Sequence, residues 1–151
     1  MLNHRPALGG DVRRLATLAG ASEILIGSME DVEVVFGGFD REALAALGPK
    51  EIVISDRDQP VWAMVGGEEL VAGVPRVPVR NAAGAGDALA GAYLAARLAG
   101  HAPAIALTWG IAAASLSVQL EGCAGSYPTG EQTRAEAERM TARAAGGGGR
   151  A

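Results

Sequence analysis

Residues 81–96 constrain the chain more than any other stretch, because Asn81-Ala82-Ala83-Gly84-Ala85-Gly86-Asp87 runs without a break into a small-residue, helix-forming segment, Ala88 to Ala96. A Gly-x-Gly turn directly before a helix leaves the first backbone N–H groups without intrahelical partners, and the macrodipole adds partial positive charge there. Such a junction suits an anion. Asp87 complicates that picture: a carboxylate inside a simple phosphate cradle gains nothing, whereas a carboxylate beside a bound phosphate can serve as a base. The alternative is that the glycines make a tight turn and Asp87 caps the helix, since aspartate is a favoured N-cap residue.

Composition narrows what could bind there. The 151 residues suit one ordinary domain, able to bury about two thirds of its unfolded surface. A net charge of −4 and the lack of any lysine or arginine cluster make nucleic acid an unexpected partner. The single cysteine, Cys123, excludes an internal disulfide framework, and His4 and His101 do not complete a zinc ligand set with it. The opening Met1-Leu2-Asn3-His4-Arg5-Pro6 lacks the character of a signal peptide, and no run reaches the length of a membrane span. A soluble protein of a reducing cytoplasm is the expectation.

Along the chain, Val12, Leu15, Ala16, Leu18 and Ala19 have helical spacing after Asp11, and Gly20 ends it. Glu23 to Gly27 reads as a buried strand. Ser28 with Asp31 resembles a capping box and starts a helix through Phe36, and Asp40 caps a short helix from Arg41 to Leu47. Glu51–Ser55 and Val61–Val65 read as a hairpin, Glu68–Ala72 as a further strand, and Arg76–Val79, with Val77 and Val79 alternating, as a last strand leading into the glycine turn. Helices follow over Ala85–Leu98, over Pro103–Leu120 with proline in the first turn, and from Thr129, where Gln132 completes a second capping box. Residues 146–151 form a glycine-rich tail expected to be disordered. The pattern is that of an α/β layered fold, in which ligands sit beyond the carboxyl ends of the strands.

Two phosphate-binding classes drop out. The Walker A loop needs a lysine after its glycines, and the Rossmann fingerprint needs a third glycine where Leu89 stands. The second half of the block, Gly84-Ala85-Gly86-Asp87, resembles instead the Asp-Thr-x-Gly-Ala-Gly-Asp signature of the PfkB, or ribokinase-like, carbohydrate kinases. Asn3-His4-Arg5-Pro6 resembles the family's Asn-x-Arg-Pro, Ser28-Met29-Glu30-Asp31 its Asn-x-x-Glu, and Glu121-Gly122-Cys123-Ala124 its late loop beside the nucleotide. Asn81 and the Gly-Cys-Ala loop ending in Pro128-Thr129 are most similar to the 5-dehydro-2-deoxygluconokinase branch of inositol breakdown.

The resemblance implies ATP and magnesium as cofactors and a sugar or sugar acid as acceptor, with ribose or 2-keto-3-deoxygluconate as alternative substrates. It assigns Asp87 as the base, Gly84, Ala85 and Gly86 as the anion hole, Asn3, Ser55, Ala114 and Gly122 as nucleotide contacts, and Asp31 as an indirect, water-mediated ligand of Mg2+. Bland readings stand beside these: Ser28 and Asp31 as a cap only, Asn3 as a solvated polar residue, Ala114 as a helix former, Cys123 as a small buried hydrophobe, His101 as a loop residue, and Trp62 and Trp109 as packing groups.

The chain also departs from the pattern. The family's Thr-x-Gly-x-x-Gly turn is here Ser55-Asp56-Arg57-Asp58-Gln59-Pro60, without either glycine and with two added carboxylates, which disfavours close approach of phosphates. Ser28 and Asn81-Ala82 replace the usual Asn and Asp-Thr. The resemblance implies a C-terminal portion of the ribokinase-like fold, residues 1–145, in which a sheet with flanking helices lacks the N-terminal half and lid. Two alternatives to a working kinase follow: a non-catalytic nucleotide-binding remnant, and an interaction partner that meets a complementing N-terminal half or forms a homo-oligomer through an exposed sheet edge.

Overall fold

Strands β1 (Ile24–Ser28) and β2 (Glu51–Ser55) pair in parallel, which forces a crossover between them, and α2 (Met29–Phe36) and α3 (Arg41–Ala46) supply it. The structure is a computed structural model that describes residues 1–2 and 11–147. These fall into two compact units, Met1–Gly73 and Val74–Ala151. In the first, α1 (Val12–Gly20) precedes β1, and β3 (Val61–Val65) and β4 (Glu68–Ala72) continue the sheet antiparallel, in the order β1-β2-β3-β4. Both β1 and β2 are apolar runs rather than alternating ones, as strands covered on both faces must be. Ile52 and Val53, neighbours pointing to opposite faces, are both fully buried.

One face of this sheet carries Leu25, Ile52, Ile54 and Trp62 into a core completed by Leu2, Ala19, Val32, Val35 and Leu44. Each such side chain contributes about 1.5–3 kcal/mol by leaving water. Phe39 meets Trp62 edge-on at 5.2 Å, and Arg41 lies over the same ring while its guanidinium pairs with Glu69 on β4 at 2.9 Å. The predicted caps are present. Ser28 Oγ accepts from Asp31 N–H at 3.1 Å, Asp31 Oδ2 accepts the Ser28 hydroxyl at 2.7 Å, and Asp40 accepts from Glu42 and Ala43 N–H.

The second unit is helical: α4 (Ala85–Leu98), α5 (Pro103–Ser117) and α6 (Gly130–Gly147), with a 3-10 turn at Ala124–Ser126. α4 and α5 pack closely through Tyr93, Ala96, Leu107 and Ile111, all buried. Their approach is set by Gly110, where a Cβ would lie 3.0 Å from the Leu89 carbonyl oxygen. Thr129 and Gln132 exchange the two bonds of the expected capping box at the start of α6. That helix runs to Gly147, past the expected start of the tail at 146, and residues 148–151 lie outside the described part. Among the described residues no helix is long and apolar enough to cross a membrane.

One predicted element is absent. Residues 74–79 form no strand. Val77 and Val79 alternate as a strand would, but Pro75 and Pro78 remove two of the segment's N–H donors, and Val79 is left exposed. The chain reaches the glycine turn as an irregular segment, held where Arg80 and Asn81 N–H both donate to the Val118 carbonyl at 2.8 and 3.2 Å.

Candidate active site

Three local bonds build the turn before α4. Asn81 Oδ1 accepts from Ala83 N–H at 2.9 Å, a side-chain turn of the kind asparagine favours, and Ala85 N–H closes onto the Ala82 carbonyl at 3.2 Å. Ala88 N–H then begins the helical ladder on Gly84 O at 2.9 Å. The N-cap is therefore Gly84, not Asp87, and no side-chain hydrogen bond caps it. Asp87 falls in the first turn as an exposed carboxylate. The reading of Asp87 as the cap is overturned by one fact of backbone shape: Gly84 sits at φ +84°, a left-handed conformation that glycine adopts without penalty, and the helix starts from it.

Gly84 and Gly86 have different duties. A Cβ on Gly84 would lie 2.7 Å from both Cys123 Sγ and the Tyr127 hydroxyl, so these side chains press directly on the backbone of the turn. A Cβ on Gly86 would meet nothing within 4 Å. The turn is walled at Gly84 and open at Gly86. With Ala85 N–H already bonded, the remaining first-turn N–H groups, those of Gly86 and Asp87, border that opening, and the helix dipole favours an anion beside them. These residues fit a phosphate group.

The thiol of Cys123 and the hydroxyl of Tyr127 stand 3.7 Å apart, and either atom can donate to the other. Cys123 is exposed, which corrects its reading as a small buried hydrophobe: the loop turns it toward Gly84 instead of the core. The Tyr127 phenol is pushed up to about 12, first by its bond with Cys123 and also by the nearby Asp87 carboxylate, because groups that accept from a neutral phenol or repel a phenolate keep its proton on. Tyr127 was not among the residues picked out by motif. Its sequence signal is faint, an aromatic residue four places after Cys123 and forty after Asp87.

The second unit thus brings together Gly84, Ala85, Gly86, Asp87, Cys123 and Tyr127, with Gly122 next along the loop and Ala114 in the last turn of α5. The first unit holds the remaining predicted contacts at the carboxyl ends of its parallel pair, where Ser28 and Ser55 are register partners. Ser55 Oγ donates to the Gly27 carbonyl at 3.4 Å, and Asp31 is engaged with Ser28 through the capping box. In the following turn, closed by Gln59 N–H to Asp56 O at 2.8 Å, Arg57 adopts φ +50°. Asn3 lies outside the described residues.

The α/β fold of the chain is shared with known structures. The chain is similar to a putative ribokinase II from E. coli in complex with ATP and Mg2+, with a TM-score of 0.76 and 21% identity over 84% of this chain and 43% of the other. It is similar to a ribokinase from Thermotoga maritima, with 0.73 and 25% over 88% and 46%, and to a Methanocaldococcus jannaschii nucleoside kinase, with 0.78 and 16% over 89% and 46%. The fold is ribokinase-like, and the chain spans less than half the length of each of these kinases. Residues 1–130 match the model of the pfkB family carbohydrate kinases, and the chain belongs to that family. Among curated proteins no sequence matches it.

Proposed function

We propose that the chain carries the phosphoryl-transfer site of an ATP-dependent sugar kinase, with an acceptor of the 5-dehydro-2-deoxygluconate type. The observation that carries this reading is the pairing, within one helical turn, of an opening at Gly86 suited to phosphate and an exposed carboxylate at Asp87. Family membership supports the reaction class, and the complex of the E. coli neighbour with ATP and Mg2+ supports the co-substrate and its metal. The acceptor assignment rests on Asn81 and on Gly122-Cys123-Ala124 with Pro128-Thr129.

In this reading Asp87 accepts the proton of the acceptor hydroxyl as that oxygen bonds to the γ-phosphorus, and the bond from phosphorus to the bridging oxygen of ADP breaks. The N–H groups at Gly86 and Asp87, with the helix dipole behind them, hold charge on the transferring phosphoryl oxygens, and Gly84 and Ala85 keep the backbone in the shape that aims them. Ser55, Ala114 and Gly122, with Asn3, would contact the nucleotide. Magnesium, when bound with the nucleotide, neutralises charge on the β- and γ-phosphates, and Asp31 would steady its water shell while still capping α2. The carboxylate and the phosphate tolerate each other because the acceptor hydroxyl lies between them.

The test is coupled ATP turnover with 5-dehydro-2-deoxygluconate, ribose and 2-keto-3-deoxygluconate as acceptors, beside calorimetric titration with MgATP. Nucleotide binding together with acceptor-dependent turnover that Asp87→Asn removes is the expected result. An unchanged rate in Asp87→Asn, or no turnover with any acceptor, overturns the proposal.

A further inference from the structure

Glycine by itself does not choose the conformation found at Gly84. With no Cβ it occupies positive and negative φ about equally well, yet the helix starts here from φ +84°. No side-chain hydrogen bond caps α4 to make that choice. The Asn81 bond to Ala83 N–H lies before Gly84, and the bond from Ala88 N–H to the Gly84 carbonyl lies after its φ. One hydrogen bond spans the residue, Ala85 N–H to the Ala82 carbonyl at 3.2 Å, and Ala82 is exposed to competing water.

The segment after α5 supplies what the turn lacks. A Cβ on Gly84 would lie 2.7 Å from Cys123 Sγ, 2.7 Å from the Tyr127 hydroxyl and 3.0 Å from Tyr127 Cε1. The same segment opens at Val118, whose carbonyl accepts from Arg80 and Asn81 N–H at 2.8 and 3.2 Å. It therefore holds the turn at two points, by hydrogen bonds where the turn begins and by contact where it becomes helix. Its own shape is well fixed: Ser126 is buried, and its N–H and Oγ both donate to the Cys123 carbonyl, at 3.1 and 2.7 Å. Tyr127 is extended at φ −68°, ψ 130°, the conformation that a following proline imposes. Apolar burial alone does not explain the placement, since Tyr127 is 39% exposed and Cys123 is exposed as well.

We propose that Cys123 and Tyr127 are positioning residues for the phosphate opening: by filling the space beside Gly84 they select the left-handed turn that leaves the N–H groups of Gly86 and Asp87 bordering that opening. Neither side chain takes part in the chemical step. The inference rests on the kinase reading of the opening, and it adds that the shape of the turn is set from a loop remote in sequence.

Two measurements on the full chain separate this inference from the reading beneath it. Both compare the unsubstituted chain with Cys123→Ala combined with Tyr127→Ala, a pair of exposed positions, and Tyr127→Ala alone serves if the pair does not fold. The first is amide exchange followed residue by residue by NMR, and it needs no turnover. The Ala85 and Ala88 amides, which bond across and onto Gly84, should exchange about tenfold faster in the variant, the scale of freeing one residue's backbone, while the Tyr93 amide in the middle of α4 keeps its rate. Unchanged exchange at Ala85 and Ala88 overturns the inference, and so does an equal acceleration at Tyr93, which marks a general loss of stability. The second is steady-state kinetics: the variant should lower kcat about tenfold while KM for ATP stays within about twofold. An unchanged kcat beside an inactive Asp87→Asn variant overturns the positioning role. If the unsubstituted chain shows no turnover with any acceptor, the kinase reading fails, and the hold of the loop on the turn is decided by the exchange alone.

Discussion

Two turns in this molecule have the same backbone requirement and meet it differently. Before α4, the left-handed position is filled by Gly84 at φ +84°; after β2, it is filled by Arg57 at φ +50°. In the family pattern Thr-x-Gly-x-x-Gly, Arg57 stands where the first glycine belongs. The left-handed shape is present here without a glycine. A non-glycine residue there costs about 1–2 kcal/mol, and the flanking Asp56 and Asp58 add two carboxylates whose charge disfavours close approach of a phosphate. At Gly84 nothing has been added, and the turn opens at Gly86 onto free space. The difference teaches that a turn's shape and its ability to admit an anion are separable: the first survives substitution at a small energetic cost, while the second is weakened as soon as carboxylates flank the turn.

Perturbing each turn sharpens that contrast. The largest effect is expected from Asp87→Asn, which should reduce turnover by about two to four orders of magnitude while MgATP affinity, followed by calorimetry, changes only a few-fold. Gly84→Ala comes next: its Cβ must displace both the thiol and the phenol and accept a left-handed φ, so chemical denaturation should show a loss of at least about 1 kcal/mol with reduced turnover. An alanine tolerated there without cost would break the comparison, because Gly84 would then be no more constrained than Arg57. Arg57→Gly should do the opposite and stabilise the chain by up to about 1 kcal/mol, the relief of left-handed strain being partly offset by a freer unfolded chain. Combined with Asp56→Asn and Asp58→Asn, it should raise nucleotide affinity several-fold, more at low ionic strength than at high.

The smallest effect concerns pH. Tyr127 has a raised pKa in the folded chain, so its contribution to stability is complete below the unfolded value near 10 and is lost as pH rises through about 12. Thermal midpoints measured across that window should fall more steeply for the unsubstituted chain than for Tyr127→Phe.

Much of the fold was legible because its signals are local. Ser28 with Asp31, Asp40, and Thr129 with Gln132 each announce a helix start within four residues, and the apolar runs at 24–28 and 51–55 are short enough to be buried strands. What failed was non-local. Val77 and Val79 carry a strand's alternation, but a strand exists only where a partner can accept its bonds, and two prolines had already withdrawn donors. The site followed the same rule. Gly84 to Asp87 could be read from seven consecutive residues, whereas the exposure of Cys123 and the approach of Tyr127 depend on how a loop some forty positions later folds back. The helix start at Ala85 was legible as well, and only the alternative that put the cap at Asp87 fails, since the helix starts from the left-handed Gly84.

The close contact of Gly110 with the Leu89 carbonyl has a consequence for how the site moves. With no side chain between them, α4 and α5 cannot slide past one another without separating main chain from main chain, so amide hydrogens in the middle of α4 should exchange only in the deepest opening of the second unit. The loop at 121–128 is held by side-chain contacts and by Ser126, whose N–H and hydroxyl both donate to the Cys123 carbonyl, with no main chain packed on main chain as at Gly110, and its amides should exchange sooner. The wall that Cys123 and Tyr127 build against Gly84 thus belongs to a part of the second unit expected to open sooner than the helical floor under it.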